Sequence, residues 1–565
     1  MEEVCHISET NSTDTSRFSR GEKAAKVISF ENARKKAELS ERKASEQVGV
    51  PRSTLRDWVS RKASINAPQA QVEFFESPEG LAFLHRLVLA AQLVITLVAP
   101  GSIRHVCTFL VLAGLNQFVA SSYGSQQKAI LDMERQLAVF GLLEFRRLCE
   151  MMLPKKITIL EDETFHPQIC LVAIEAASGF ILLELYVENR NSETWTKELK
   201  KAVGNLPVEI VQATSDEAKA LLKHHEKDLQ VSHSPDVFHV QHDLFKGTSL
   251  SMARDVKKAQ TSVEEAEKFT ERLVESAKIY EEFEEDKRHC SPEWVRQNIE
   301  QAKAAEKVEQ AKLKQAEVQQ ESMAQEIRDI SNSYHPFDLK TGTARSAEQV
   351  NTDLSGHFER IDEIAEKAEL SQSCLDRIDK ARRVLPLMVA TISFFHDTIN
   401  RWVGELCLTE KIERFLMERW IPGRYLELVA SRVRDPEQRV RLLEAAANLI
   451  PSADQITSML SLLCDNDRLL VAAMVEQCAQ LFQRSSSGVE GRNGQLSLFH
   501  HGHHRLPENK LKALTVIHNY MKVRPDGTTA AERLFGHQPL DIFEWLVERM
   551  EYPARPSKSR KKIAA

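Results

Sequence analysis

Three short runs, "KITILEDETF", "QICLVAIEAASG" and "FILLELYVENR", are dense in β-branched and large apolar residues, whereas most of the remaining chain repeats its apolar positions every three or four residues. The first texture predicts strands and the second packed helices. "ASG" between the second and third runs predicts a short hairpin turn. "SETWTKELKKAVGNL" follows as an amphipathic helix with Ser192 as its cap, and "PVEIVQATSD" reads as a fourth strand. "EAKALLKHHEKDL" predicts another helix, and "PDVFHVQHDLF" a short fifth strand entering a helix.

Three strands in meander, then helix, strand, helix, strand, is the element order of a ribonuclease-H-like fold. On its N-terminal side, "ENARKKAELSERKASEQVGVPRSTLRDWVSRKA" predicts a short helix over 41–48, a tight turn at Gly49-Val50-Pro51 and a second helix over 52–62. Leu55, Trp58 and Val59 form the apolar face of the second helix, which leaves Arg52, Ser53, Thr54, Arg56 and Arg61 to meet DNA. That is the arrangement of a helix-turn-helix reader, whose second helix enters the major groove. Residues 67–150 predict a further helical unit, in which Ser122 opens either another DNA-contacting helix or a packing helix.

Beyond the β-rich stretch, residues 251–328 are dominated by Glu, Lys, Ala and Gln, the composition of a coiled-coil arm, with a break near Cys290-Ser291-Pro292. "YHPFDLKTGT" predicts a loop at its end, and mixed helical packing follows over 347–482. The expected organisation is multidomain α plus α/β. A disordered stretch (1–20) precedes the helix-turn-helix (21–66) and the second helical unit (67–150). The first part of the catalytic core (151–250), a helical insertion (251–482), the last part of the core (483–548) and a basic tail (549–565) follow.

Composition adds location rather than class. The net charge is −7, yet residues 17–62 carry thirteen Lys or Arg against six Asp or Glu, and "ARPSKSRKKIAA" carries five basic residues and no acid. Basic patches on an acidic chain point to contact with a polyanion at defined places. The nine Cys include no C-x-x-C pair, so neither a zinc ribbon nor a disulfide framework is indicated. The N-terminus lacks the character of a signal peptide, and the longest uncharged run, 87–103, contains Pro100-Gly101 and reads as a buried core helix. The expected location is the cytoplasm, in association with the nucleoid, with no membrane partner.

In a ribonuclease-H-like fold, carboxylates from the first strand, from just after the fourth, and from a later helix hold two divalent ions that clamp the attacking and departing oxygens of a phosphodiester. Magnesium or manganese suits such oxygen ligands. Asp162, Asp216 and Glu490 stand at these three stations. Glu161 or Glu163 is an alternative to Asp162, because strand neighbours point to opposite faces. Asp216 has the competing role of a helix cap, and Asp236 and Asp243 are reserve acids for its station. Glu490 lies in "RSSSGVEGRNGQLS", between apolar helical segments, where a linker would not need an acid.

The motifs "DETF", "SDEAKAL", "VFHV", "SSSGVEGRNGQLS" and "RPDGTTAAERLF" resemble those of the DDE transposases of bacterial insertion sequences, in particular those with a helical insertion between the second Asp and the Glu. The resemblance runs from the helix-turn-helix to about Trp545. It implies Asp162, Asp216 and Glu490 as the catalytic, metal-holding triad. It also implies Asn493 as the Asn of an E-x-x-N pattern and His239 as a group near the scissile phosphate; if Glu490 holds a metal from a helix, Arg492 and Asn493 are expected to face phosphate or water beside it. Double-stranded DNA, as element ends and as target, is the implied partner, with the protein acting as a homodimer or higher oligomer. A catalytically silent DNA-binding regulator, a metal-dependent nuclease using the same site, and a structural coiled-coil protein are the alternatives. "FHHGHHRL" is either a metal site or, closer to Glu490, a DNA-facing edge; "RPDGTTAAERLFG" predicts a turn at Asp526-Gly527 and a helix capped by Thr528 or Thr529.

Overall fold

The computed structural model describes residues 18–282, 291–450, 452–503 and 506–556. Most of these are helical, and one five-stranded mixed sheet lies among them. The strands are β1 (Lys155–Phe165), β2 (Ile169–Glu175), β3 (Ile181–Val187), β4 (Val208–Ser215) and β5 (Ser232–Pro235). Their order is β3-β2-β1-β4-β5. β1, β2 and β3 pair antiparallel, while β4 runs parallel to β1 and β5 parallel to β4.

β1 is central, so both of its faces are covered, and its alternation sorts side chains between two cores. Ile157 and Ile159 pack with Trp195 and Leu199 of the helix Ser192–Val203. Leu160 points the other way, toward Val489 and Leu496 of the helix Ser487–His503 and toward Leu514 and Ile517 of the helix Glu508–Tyr520.

Several local expectations shift. The cap of the helix Ser192–Val203 is Asn191, whose side chain accepts from the Thr194 amide at 2.8 Å; Ser192 is the first helical residue and is buried. The fifth strand is "SHSP", one step earlier than expected, because the helix begins at Val237 immediately behind it. "YHPFDLKTGT" is a loop as expected, but a packed one: Tyr334, His335 and Phe337 are buried against Tyr425 and Phe482, and the chain turns back through a bridge from Phe337 to Ala344. The helix Ala530–Phe535 is capped by Thr529, after a turn at Gly527 with φ 79°.

Two domain limits also move. Leu89, Leu93, Leu97, Met133, Leu137 and Phe140 share one core with the sheet and with the helix Glu508–Tyr520, so the core does not divide at residue 150. The second helical core starts at Val237 rather than at 251, since Val237, Val240 and Leu244 share it with residues as far along as Phe482. The helix Val237–Glu282, 46 residues long, pairs with the 42-residue helix Pro292–Ser333 to form the arm. At 1.5 Å per residue each spans about 60–70 Å. Of the expected break at Cys290-Ser291-Pro292, Ser291 caps the helix Pro292–Ser333 and Pro292 opens it, while Cys290 lies outside the described residues, as do the first residues and the last of the basic tail.

Near the N-terminus the helices Arg20–Lys35, Glu41–Val48 and Arg52–Ala63 surround Phe30, Ala44, Val50 and Leu55. Gly49 takes φ 69° at the turn, the left-handed conformation that glycine adopts without steric cost. The helix Pro78–Leu93, with its continuation to Val98, is long and apolar enough to cross a membrane by length and composition alone, and half of that window is buried in the fold. The start of the tail is fastened to this region: Ala120 donates to the Ala554 carbonyl, and Arg555 pairs with the buried Glu76.

Candidate active site

The three acids singled out in the sequence come from β1, from the end of β4, and from the helix Ser487–His503. Positions 54 and then 274 residues apart in the chain are thereby brought to one place. Asp162 lies on the same face of β1 as Leu160, toward the Glu490 helix. That helix can approach closely because Gly488 has no side chain: a Cβ there would sit 3.1 Å from Leu160 Cδ1. Glu161 and Glu163 lie on the opposite face, where Glu163 meets Trp195 Nε1 at 3.3 Å and Arg190 at 2.6 Å. Strand alternation thus separates the three consecutive acids, and only Asp162 faces Glu490.

Electrostatics reports the same convergence. Burial, reinforced by the negative charges of Glu490 and Asp216, pushes the Asp162 carboxyl up to about 7; the Glu163 amide, donating to Oδ1 at 2.7 Å, and the nearby His239 oppose the shift. Glu217 is also pushed up to about 7, by burial and by Asp216 and Asp236. Acids crowd here with little positive charge to balance them, an arrangement that disfavours full ionisation unless a cation is present.

The supporting residues divide. Asn493, one helical turn beyond Glu490, donates from Nδ2 to Asp162 Oδ2 at 3.0 Å. His239, in the first turn of the arm helix, places Nε2 3.7 Å from Glu490 Oε1 and 3.7 Å from Asp236 Oδ2. Arg492, however, faces neither water nor an open surface. It is buried and makes a two-pronged pair with Glu184 of β3, at 2.7 and 2.6 Å, and Thr515 donates to the same carboxylate. Two residues along a helix is a rotation of about 200°, so Arg492 must point away from Glu490 and into the sheet.

Among the reserve acids, Asp243 is remote from this chemistry and pairs with Lys380 at 2.6 Å. Asp236 is at the site but fully buried, accepting from the Phe238 amide at 2.8 Å and from the Ser486 hydroxyl. Asp216 does not cap the helix Lys219–Lys223, whose N-cap is Ala218 without a side-chain cap bond; its Oδ1 accepts from the Ala218 amide at 3.1 Å in the turn that leaves β4. Glu217 was not singled out beforehand; its place directly after Asp216 was the only available signal.

The oxygen donors Asp162, Asp216 and Glu490 fit hard divalent ions such as Mg2+ or Mn2+. Gly491 and Gly494, on the exposed side of the same helix, have open space where a side chain would stand. In "FHHGHHRL", His500 lies against His166 with ring centroids 5.5 Å apart, at the far end of the helix from Glu490. "RPDGTTAAERLFG" braces the β2–β3 hairpin, with Arg524 donating to the Ala177 carbonyl and Arg533 to that of Ser178.

On the N-terminal unit, Arg52, Ser53, Arg56 and Arg61 are exposed and Thr54 is half-buried. Arg56 pairs with Glu41 and Arg61 with Asp57, whereas Arg52 has no ion-pair partner among the described residues.

A family of unknown function (DUF6399) matches residues 416–562, a span that runs from the helices before Phe482 through Glu490 into the tail. No curated protein and no solved structure matches the chain.

Proposed function

We propose that this chain is a DNA transposase that binds the ends of its element and cuts and rejoins strands by metal-dependent phosphoryl transfer, with Asp162, Asp216 and Glu490 as its triad. One observation carries the reading: carboxylates from β1, from the end of β4 and from a helix some 270 residues further on share one site, where Asp162 feels the charge of both others. The strand order, with a parallel β4 beside a three-stranded meander, supports a ribonuclease-H-like core. The exposed face of the helix Arg52–Ala63 supports a helix-turn-helix reader.

Divalent ions held by the three carboxylates would supply activation of the attacking oxygen and stabilisation of the departing one. The protein's own part is placement. Asn493 holds one oxygen of Asp162, the Glu163 amide holds the other, and His239 adds a proton-bearing group beside Glu490. The open surface at Gly491 and Gly494 gives a DNA strand room to approach.

The test uses labelled duplex carrying the DNA that flanks the reading frame. With Mg2+, the protein should cut at the ends and join the freed 3′-hydroxyl to a target, and Glu490→Gln should bind without cutting. Cutting without joining would make it a nuclease; no cutting with either Mg2+ or Mn2+ would leave the DNA-binding regulator. Replacing Arg52 and Arg56 by Ala should weaken end binding about tenfold or more, since a base-edge contact contributes roughly 1–3 kcal/mol. Unchanged binding in a gel-shift titration rejects that helix as the reader.

A further inference from the structure

We propose that Glu161, His224 and His225 form a second metal centre, of the class that takes Zn2+, buried on the face of the sheet opposite the carboxylate triad. One ligand atom from each residue can be chosen so that all three lie within 4.8 Å of one another, and none of the three side chains is exposed. Two imidazoles and one carboxylate are a zinc donor set, whereas magnesium prefers oxygen donors throughout.

The local geometry favours a cation over a plain hydrogen-bonded cluster. Glu161 Oε1 and His224 Nε2 are both buried and both lack a hydrogen-bond partner, yet they face each other at 3.6 Å. That separation is too long for a hydrogen bond. It is close to the edge, about 3.4 Å, of a tetrahedron built on metal–ligand bonds of about 2.1 Å. His225 Nε2 lies 2.5 Å from Glu161 Oε2, a short hydrogen bond that a bound ion would replace by taking the proton's place between the two atoms.

The surroundings prepare His224 to ligate. Its Nδ1 meets Thr196 Oγ1 at 2.7 Å, and the same hydroxyl lies 3.1 Å from Asp228 Oδ2. A proton held on Nδ1 toward that hydroxyl leaves the lone pair of Nε2 facing Glu161, the tautomer that metal ligation requires. His225 is backed by His233, stacked 5.3 Å away with the rings 17° apart, and His233 is in turn held by Ser215 Oγ.

The backbone explains how adjacent histidines reach one carboxylate. At His224 the helix Lys219–Lys223 widens into a turn of i→i+5 hydrogen bonds, His224–Leu229, and both imidazoles are buried beneath it. Such widened turns recur at functional sites. With three protein ligands, the fourth position of a tetrahedron would fall to a water. The centre would tie β1 to the widened turn directly behind Asp162.

The proposal does not rest on the transposase reading, and its test is metal content rather than DNA cutting. Full-length protein, prepared without metal-affinity steps from zinc-supplemented cells, should carry one zinc per chain by mass spectrometry of the metal. Cobalt-substituted protein should show the intense visible bands of a four-coordinate site. Glu490→Gln should keep the zinc, and His224→Asn should lose it. If His224→Asn fails to fold, the cobalt spectrum of the unaltered chain still decides. Substoichiometric zinc together with no rise in the unfolding temperature of chelator-stripped protein on adding Zn2+ overturns the proposal. So does zinc that departs with Glu490→Gln and stays with His224→Asn.

Discussion

Glu161 and Asp162 are neighbours on one strand, both withdrawn from solvent, and they have opposite electrostatic fates. Around Asp162 the nearby ionisable groups are mostly acids, and burial with the charges of Glu490 and Asp216 raises its carboxyl to about 7. Around Glu161 the donors are imidazoles. Burial alone would raise it too, but the short hydrogen bond from His225 and the closeness of both imidazoles outweigh burial and hold it down at about 2. The difference teaches that burial does not decide a carboxylate's role; the atoms opposite it do. Oxygen donors on one face of β1 suit a hard ion that arrives with its substrate, and nitrogen donors on the other suit an ion kept for structure.

The largest expected effect separates the faces by rate. Glu490→Gln or Asp162→Asn should lower Mg2+-dependent cleavage on the order of a thousandfold or more, because each removes a charge that holds the ions. Glu161→Gln should instead alter stability first, with cleavage lost only as folded protein is lost. Equal turnover losses from all three substitutions, in folded protein, would erase the distinction between the faces.

The next effect is on stability. Glu161→Ala leaves two buried imidazoles without their acid and should cost about 3–5 kcal/mol, the range for breaking a buried charged pair. Arg492→Ala should cost a similar amount, since Glu184 would remain buried and unpaired. Urea denaturation measures both. A loss below about 1 kcal/mol for either would place that pair among those that contribute little.

Much of this frame was legible beforehand, because strands and packed helices impose periods of 2 and 3.6 on the chain. The apolar runs marked β1 to β4, and Glu490 stood out as a charge that a Ser/Gly linker would not need. What the sequence could not supply were partners far along the chain. Alternation said that Glu161 and Asp162 point apart, but which one meets Glu490 depends on a helix more than 300 residues later. The inward turn of Arg492 is hidden for the same reason, its partner Glu184 being 308 positions away. The histidine pair was hidden inside a run read as an ordinary helix, since a widened turn has no reliable signature in composition. The change of texture suggests a limit at residue 150, although Phe140 and Leu148 pack on the same core as Cys170 and Phe180.

A smaller effect compares the faces by pH, in protein stripped of divalent ions. Asp162 has a folded-state value above its ordinary one, so its stabilising contribution is complete below about pH 4 and is lost as the pH rises through about 7. Glu161 is depressed, so its contribution is present above about pH 4.5 and is lost as the pH falls toward 2. Asp162→Asn should therefore be more stable than the unaltered chain at pH 8, by on the order of 1–3 kcal/mol, and Glu161→Gln less stable. Thermal unfolding across pH 4–8 reads the sign directly. A variant Asp162→Asn that is no more stable at pH 8 contradicts the crowding of charge at the site.

The smallest effect concerns the single hydrogen bond by which the Glu490 helix holds Asp162. Asn493 Nδ2 donates to Asp162 Oδ2, while Asn493 Oδ1 is buried without a partner of its own. The amide therefore orients the carboxylate without supplying charge, which on the proposed function is the role of a group that tunes a metal ligand from behind. Asn493→Ala should leave the fold and DNA binding intact and raise the Mg2+ concentration needed for half-maximal cleavage about tenfold, with the rate at saturating Mg2+ little changed. The counterpart on the other face is Thr196→Val, which removes the hydroxyl that orients His224. It should weaken zinc retention and leave the Mg2+ titration where it was. Were Asn493→Ala to show an unaltered Mg2+ requirement, Asp162 would be held by the Glu163 amide alone, and the Glu490 helix would contribute only its own carboxylate to the site.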